Sequence, residues 1–120
     1  MKNNLKLNFK IWLENNDGES ILGDGKWKLL KAIQETESLK KGIEQCGYSY
    51  RKTWNKLQEI ETKLGFQLIE RQRGGIAGGK TMLTPEGEKI MKLFEDFHLK
   101  FDAEIKLYLE NQMNHFFPKK

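Results

Sequence analysis

The sequence predicts an α+β fold, mainly α-helical, in which four helices carry two small β-hairpins. Three observations predict it. Residues 38–84, SLKKGIEQCGYSYRKTWNKLQEIETKLGFQLIERQRGGIAGGKTMLT, order a capped short helix, a glycine turn, a basic helix, a strand, a glycine-rich loop and a second strand. Residues 5–13 alternate apolar and polar side chains, the period of a strand with one buried face. From Thr84 a cap, a proline and an acid open a long segment with an apolar stripe at helical spacing. The order within 38–84 is the plan of a winged helix-turn-helix. The expected architecture is that unit with an N-terminal β-hairpin and a long C-terminal dimerisation helix.

The first strand is expected over 5–13, with Leu5, Leu7, Phe9, Ile11 and Leu13 on its buried face. Asn15-Asn16-Asp17-Gly18 supplies a turn, and 19–22 a short return strand. Asp24 is placed to cap a helix over 26–37 whose apolar stripe is Leu29, Leu30 and Ile33. Ser38 caps a second helix through Leu39, Ile43 and Cys46, and Gly47 ends it by taking positive φ. Ser49 caps a third helix over 50–64, closed by Gly65. Residues 66–71 and 80–83 read as antiparallel strands around the loop 74–79. The last helix is expected to run to about Gln112, on the order of 40 Å at 1.5 Å per residue.

The chain has 120 residues, which suits one domain, 1–120, with a modest core. Within it, 1–25 form the hairpin, 26–84 the winged core and 85–113 the dimerisation helix. No apolar run approaches the roughly 20 residues of a membrane span. The N-terminus lacks the apolar block of a signal peptide, and Cys46 is the single cysteine. A cytoplasmic location without membrane contact is the expectation. The net charge is +4, and its distribution is uneven. Residues 26–84 carry twelve Lys and Arg against six acids, while 1–25 and 85–120 each carry one more acid than base. A basic excess confined to one segment fits either a solvated surface or a phosphate-binding face.

The third helix favours the phosphate-binding face. Thr53, Trp54, Leu57, Ile60 and Leu64 share one side of its wheel, and Arg51, Lys52, Asn55, Lys56 and Gln58 fall largely on the other. Its bases come early and its acids, Glu59 and Glu61, come late. That polarity opposes the helix dipole, yet suits a helix that presents its N-terminal end to DNA. Arg51 and Lys52 suit guanine edges, Asn55 suits adenine, and Ser49 and Tyr50 suit phosphates. Partial burial is an equal prospect for Tyr50. Arg71, Arg73 and Lys80 flank the loop GGIAGG, whose glycines let backbone amides approach a phosphate. The loop lacks the spacing of a dinucleotide-binding turn. It reads as a wing, with a ligand-free hairpin tip as the alternative.

The long helix carries Ile90, Phe94, Phe97, Phe101, Ile105 and Tyr108 as a stripe. Two arrangements cover it: the same stripe on a second copy, or a bend back over the N-terminal hairpin. The dimer is the expectation, because a domain this small leaves too much of the stripe in water. Cys46, Trp12, Trp27 and Trp54 are expected to pack in the core. His98 and Asp102 stand four apart, too few ligands for a metal site. No nucleophile, base and orienter converge, so no enzyme activity, metal or cofactor is expected.

Three stretches, LGDGKWKLLKAIQETES, CGYSYRKTW and RQRGGIAGGKTMLTPEGEKIM, resemble the N-terminal DNA-binding domain of the molybdate-responsive ModE regulators, related to the LysR-type winged helix-turn-helix. The resemblance covers about residues 5–100. It implies a homodimeric transcription regulator that binds double-stranded DNA. Carried over by position, Ser49, Tyr50, Arg51 and Lys52 touch DNA, and Gly74, Gly75, Gly78 and Gly79 shape the wing. Lys41 and Gly42 depart from small alanines of the family, and Gly42 is expected to loosen the second helix. Ile76 and Ala77 replace what is often lysine and glycine. The sequence ends after the long helix, so molybdate sensing is not carried over and any effector is left open. Two alternatives accompany this reading. One is a protein–protein interaction module working through the long helix, and the other an oxyanion-responsive sensor.

Overall fold

A computed structural model of the chain describes residues 5–72 and 79–118. The element order is β1 (Trp12–Glu14), β2 (Ser20–Gly23), α1 (Asp24–Thr36), α2 (Leu39–Cys46), α3 (Tyr50–Leu64), β3 (Ile69–Gln72), β4 (Lys80–Leu83) and α4 (Pro85–Phe116). The fold is α+β and mainly helical, as a winged helix-turn-helix requires. The sheets are two separate antiparallel hairpins, β1–β2 and β3–β4. The molecule is elongated, 61 × 34 × 27 Å. Among the described residues no helix is long and apolar enough to cross a membrane.

One core joins every helix. Leu29, Leu30 and Ile33 of α1 meet Leu39 and Ile43 of α2, Leu57 and Ile60 of α3, and Met91 and Phe94 of α4, with Ile21, Leu22, Leu68 and Leu83 from the hairpins. Each such side chain contributes about 1.5–3 kcal/mol on burial. Gly42 is buried where α2 crosses α1, and a Cβ there would come 2.9 Å from Ile33 Cγ1. The glycine therefore buys a close helix crossing, where a loosened α2 was expected.

The ends of the elements follow local chemistry. Ser38 Oγ accepts from Lys41 N at 3.1 Å and caps α2. Gly47 and Gly65 end α2 and α3 at φ 73° and 80°. Glu37 ends α1 at φ 55°, a conformation most side chains avoid. It is held there by β4, since Thr81 N donates to Glu37 O at 3.0 Å. Thr84 ties the wing to α4: its hydroxyl donates to Gln67 O at 2.6 Å and accepts from Gly87 N at 3.0 Å. Glu61 of α3 accepts from Leu68 N at 2.6 Å and so hangs β3 from the helix before it.

Several expectations are corrected. β1 covers only Trp12–Glu14, because α1 begins at Asp24 and leaves β2 four residues with which to pair. Leu5 and Leu7 are exposed, and 5–8 instead share a groove of about 410 Å³ with Lys106, Glu110, Met113 and Asn114 of α4. Asp24 is not the cap of α1. Gly23 holds that position, and the Asp24 carboxylate turns to His98 Nε2 at 2.7 Å. Trp12 and Trp54 are 50% and 42% exposed and lie outside the core. α4 runs on to Phe116, 32 residues in all. Within its predicted partner-facing stripe, Phe94 is 1% exposed and has no surface to offer a second copy. Ile90 packs on the core, and Phe97, Phe101 and Ile105 are half-buried. Tyr108 is exposed, as are Leu93, Leu99 and Leu107, which the stripe did not include.

Candidate nucleic-acid interface

α3 is built as a surface rod. Thr53, Leu57 and Ile60 are buried at i, i+4, i+7 spacing. Ser49, Tyr50, Arg51, Lys52, Asn55 and Lys56 are all exposed on the other side. The side with cations is thereby turned to solvent by the burial of its apolar neighbours. Ser49 occupies the N-cap position, but its hydroxyl makes no capping bond. The expected cap is thus absent. The first backbone N–H groups of α3 have no side-chain cap, at a helix end where the dipole favours an anion. Tyr50 is 44% exposed, partly covered and partly open to solvent.

A groove of about 240 Å³ lies beside this helix start. Ser38, Leu39, Lys40, Tyr50, Arg71, Gly79, Lys80 and Thr81 line it. The fold thus gathers Tyr50, Arg71, Gly79 and Lys80, predicted from separate stretches, around one cleft. Arg71 and Lys80 reach it from facing strands, in the register Arg71↔Thr81 and Gln72↔Lys80. Arg73, Gly74, Gly75 and Gly78 lie outside the described residues. Lys40 was missed by the sequence reading. Its only signal was its place in the first turn of α2, directly after the Ser38 cap.

Carboxylates hold some of these cations. Lys80 pairs with Glu37 at 3.1 Å, and Lys56 with Glu59 at 3.6 Å. Both pairs are exposed, so each is worth little against a phosphate. Arg51, Lys52, Lys40 and Arg71 form no ion pair among the described residues.

No group of three or more metal-ligating side chains converges among the described residues. His98 is the nearest approach. Its Nδ1 lies 2.6 Å from Asp102 and its Nε2 2.7 Å from Asp24, so both ring nitrogens are engaged. Its ring stacks on Trp27 at 4.5 Å. Burial pulls the His98 pKa down, but the hydrogen bonds and charges of Asp102 and Asp24 outweigh it and hold the pKa above its ordinary value. The cluster is a tie between α4 and the start of α1, with Asp24 also accepting from Ile11 N at 3.4 Å.

A family model described as bacterial regulatory helix-turn-helix protein, lysR family, matches residues 25–88, from the start of α1 to the first turn of α4. The chain is 37% identical over 67 residues to the transcriptional regulator ModE of Yersinia pestis, covering 56% of this chain and 26% of that protein. It is 33% identical over 67 residues to the DNA-binding transcriptional dual regulator ModE of Escherichia coli strain K12, again 56% and 26%. It is 33% identical over 73 residues to the molybdenum-pterin-binding protein MopB of Rhodobacter capsulatus, 61% of this chain and 27% of that protein. The chain spans about a quarter of the length of these relatives.

Proposed function

The chain belongs to the lysR family of bacterial regulatory helix-turn-helix proteins, and we propose that it is a ModE-like transcription regulator binding duplex DNA as a homodimer. The observation that carries this is the outward face of α3, with six exposed polar residues from Ser49 to Lys56 backed by a buried apolar side. α3 enters the major groove with Arg51, Lys52 and Asn55 at base edges. Ser49, Tyr50 and Lys56 meet phosphates, joined on the wing side by Lys40, Arg71 and Lys80. The glycine-rich loop, with Arg73, Gly74, Gly75, Gly78 and Gly79, follows the backbone beside it.

The second copy docks on α4. Leu93, Phe97, Phe101 and Tyr108 fall on one side of that helix, at spacings of four, four and seven. Phe97 and Phe101 are half-buried, and Leu93 and Tyr108 are 56% and 62% exposed. A two-fold pairing there gives two copies of α3, one for each half-site. Selection of bound sequences from a random duplex pool tests the proposal. Enrichment of a two-fold symmetric site, its halves about 34–36 Å apart, is the expected result. A pool that stays random after selection refutes it.

The exposed apolar residues of α4 also support a second reading, an interaction module that pairs with another protein and has no duplex preference. Retention of a partner without any mobility shift on DNA would favour it. The molybdenum in the printed name of the Rhodobacter capsulatus relative belongs to a protein of which the matched segment is 27%, so molybdenum is not carried into this reading.

A further inference from the structure

The recognition helix has two flanks, and the groove with Lys40, Arg71 and Lys80 serves one of them. Trp54 and Glu61 mark that flank: they share a cleft of about 550 Å³ with Gln67, Ile69 and Arg71. Lys52, Lys56 and Lys63 stand on the opposite flank, because successive residues turn by about 100° around the axis. Lys63 there reaches Glu19 of the β1–β2 hairpin at 3.4 Å. That contact sets this flank toward the hairpin and the start of α1.

Lys26, in the first turn of α1, stands on the same flank. Its Nζ lies 5.6 Å from the centre of the Tyr48 ring. The Tyr48 hydroxyl in turn donates to Gly25 O at 3.3 Å, an approach that a Cβ on Gly25 would crowd. Lys26 is half-buried, and burial first, then the Lys56 cation, pull its pKa below the ordinary lysine value. Glu59 serves Lys56 and Lys63, and Asp24 is turned to His98. No described carboxylate pairs with Lys26. Among the described residues a cation is therefore held on an aromatic face with no carboxylate paired to it, near enough to Lys56 to feel its charge.

A helix lying in the major groove has a phosphate ridge on each side, about 12 Å apart. We propose that Lys26 and Lys56 grip the ridge opposite the wing, with Tyr48 holding the Lys26 ammonium in place. This rests on the DNA-binding reading above. It adds α1 to the interface and makes the protein straddle the groove, one ridge per flank.

The test is the salt dependence of binding by the full chain to a duplex recovered from the random pool, read by fluorescence anisotropy. Lys26→Gln should shallow the slope of log K against log[salt] by about 0.9, the release expected for one lost phosphate contact. That corresponds to about fivefold weaker binding at 0.15 M salt. The ranking of duplex sequences should stay the same, and Lys26→Arg should keep the wild-type slope. Thermal unfolding of both variants at the wild-type temperature shows that the fold is intact. An unchanged slope in Lys26→Gln, alongside weakened binding in Arg51→Ala, overturns the Lys26 contact and leaves the DNA-binding reading standing. A changed sequence ranking overturns it too, by making Lys26 a reader of bases. Failure of the wild type to bind any duplex in the pool overturns both.

Discussion

Arg51 and Lys52 are the side chains with most to lose from substitution. They stand at the start of α3, exposed and without a carboxylate partner among the described residues. Arg51→Ala should weaken binding by about 1–3 kcal/mol if it reads a base, and relax the preferred sequence at one position of each half-site. Competition against single-base variants of the selected duplex measures that. His98 gives a prediction of a different kind. Its folded pKa is raised above the ordinary 6.5, so the folded state favours the charged ring. The stability it adds is fully present below about pH 6.5 and is lost as the pH rises through the folded value. Urea denaturation of wild type and His98→Gln from pH 5.5 to 9 should show the gap between them narrowing with rising pH. A gap that is constant or widens would show that the Asp24 and Asp102 contacts do not hold the imidazolium. Cys46 is half-buried, and burial pushes its thiol pKa up. This is the chemistry of a packing residue more than that of a redox switch.

At the scale of elements, the winged unit depends on a few close approaches. The first turn of α4 lies against the chain just before β3, and a Cβ on Gly87 would fall on the Leu68 carbonyl. Gly87→Ala must push backbone against backbone, which costs about 1–3 kcal/mol. It also pulls on Thr84, whose hydroxyl links Gln67 to Gly87. Chemical denaturation should report that loss with an unchanged m-value, because the surface exposed on unfolding stays the same. Duplex binding at low temperature should suffer in proportion to any shift of the wing, since Arg71 reaches the groove from β3. The Ser38 and Thr84 caps, the glycine turns and the apolar spacing of α1, α2 and α3 were legible in the sequence because each involves residues within a few positions of one another. Asp24, by contrast, was drawn from its expected capping role to His98. The length of β1 was not legible, since it depended on where β2 and α1 left off. Gly42 was misread for the same reason. Its value lies in the approach of Ile33 from another helix, which no local pattern announces.

At the scale of the whole molecule, 32 residues of α4 give a rod of about 48 Å at 1.5 Å per residue. Only its first half meets the core, through Ile90, Met91 and Phe94. The rest runs past that core with residues 5–8 beside Lys106, Glu110, Met113 and Asn114, and it leaves Leu107 and Tyr108 exposed, which supports the proposed pairing. Leu93→Asp together with Tyr108→Asp should halve the mass seen by sedimentation equilibrium and leave the helix content intact. Both positions lie outside the core, so a monomer with native circular dichroism is the expected product. A wild type already monomeric at tens of micromolar would count against the homodimer. Duplex affinity should fall steeply in the double variant, because two linked half-sites bind far more tightly than one.

The sequence by itself determined the element order, the Ser38 and Thr84 caps and the solvent-facing basic side of α3. These follow from periodicity and from side chains acting on backbone nearby. Only the tertiary structure decided which of those side chains share a surface. It brought Tyr50, Lys40, Arg71 and Lys80 to one groove and Lys26 to the opposite flank of α3. It buried Phe94, exposed Trp54, and joined Asp24 to His98 across 74 positions of chain. Such contacts depend on how helices cross, and that is settled by the fit of whole faces rather than by any short run of residues.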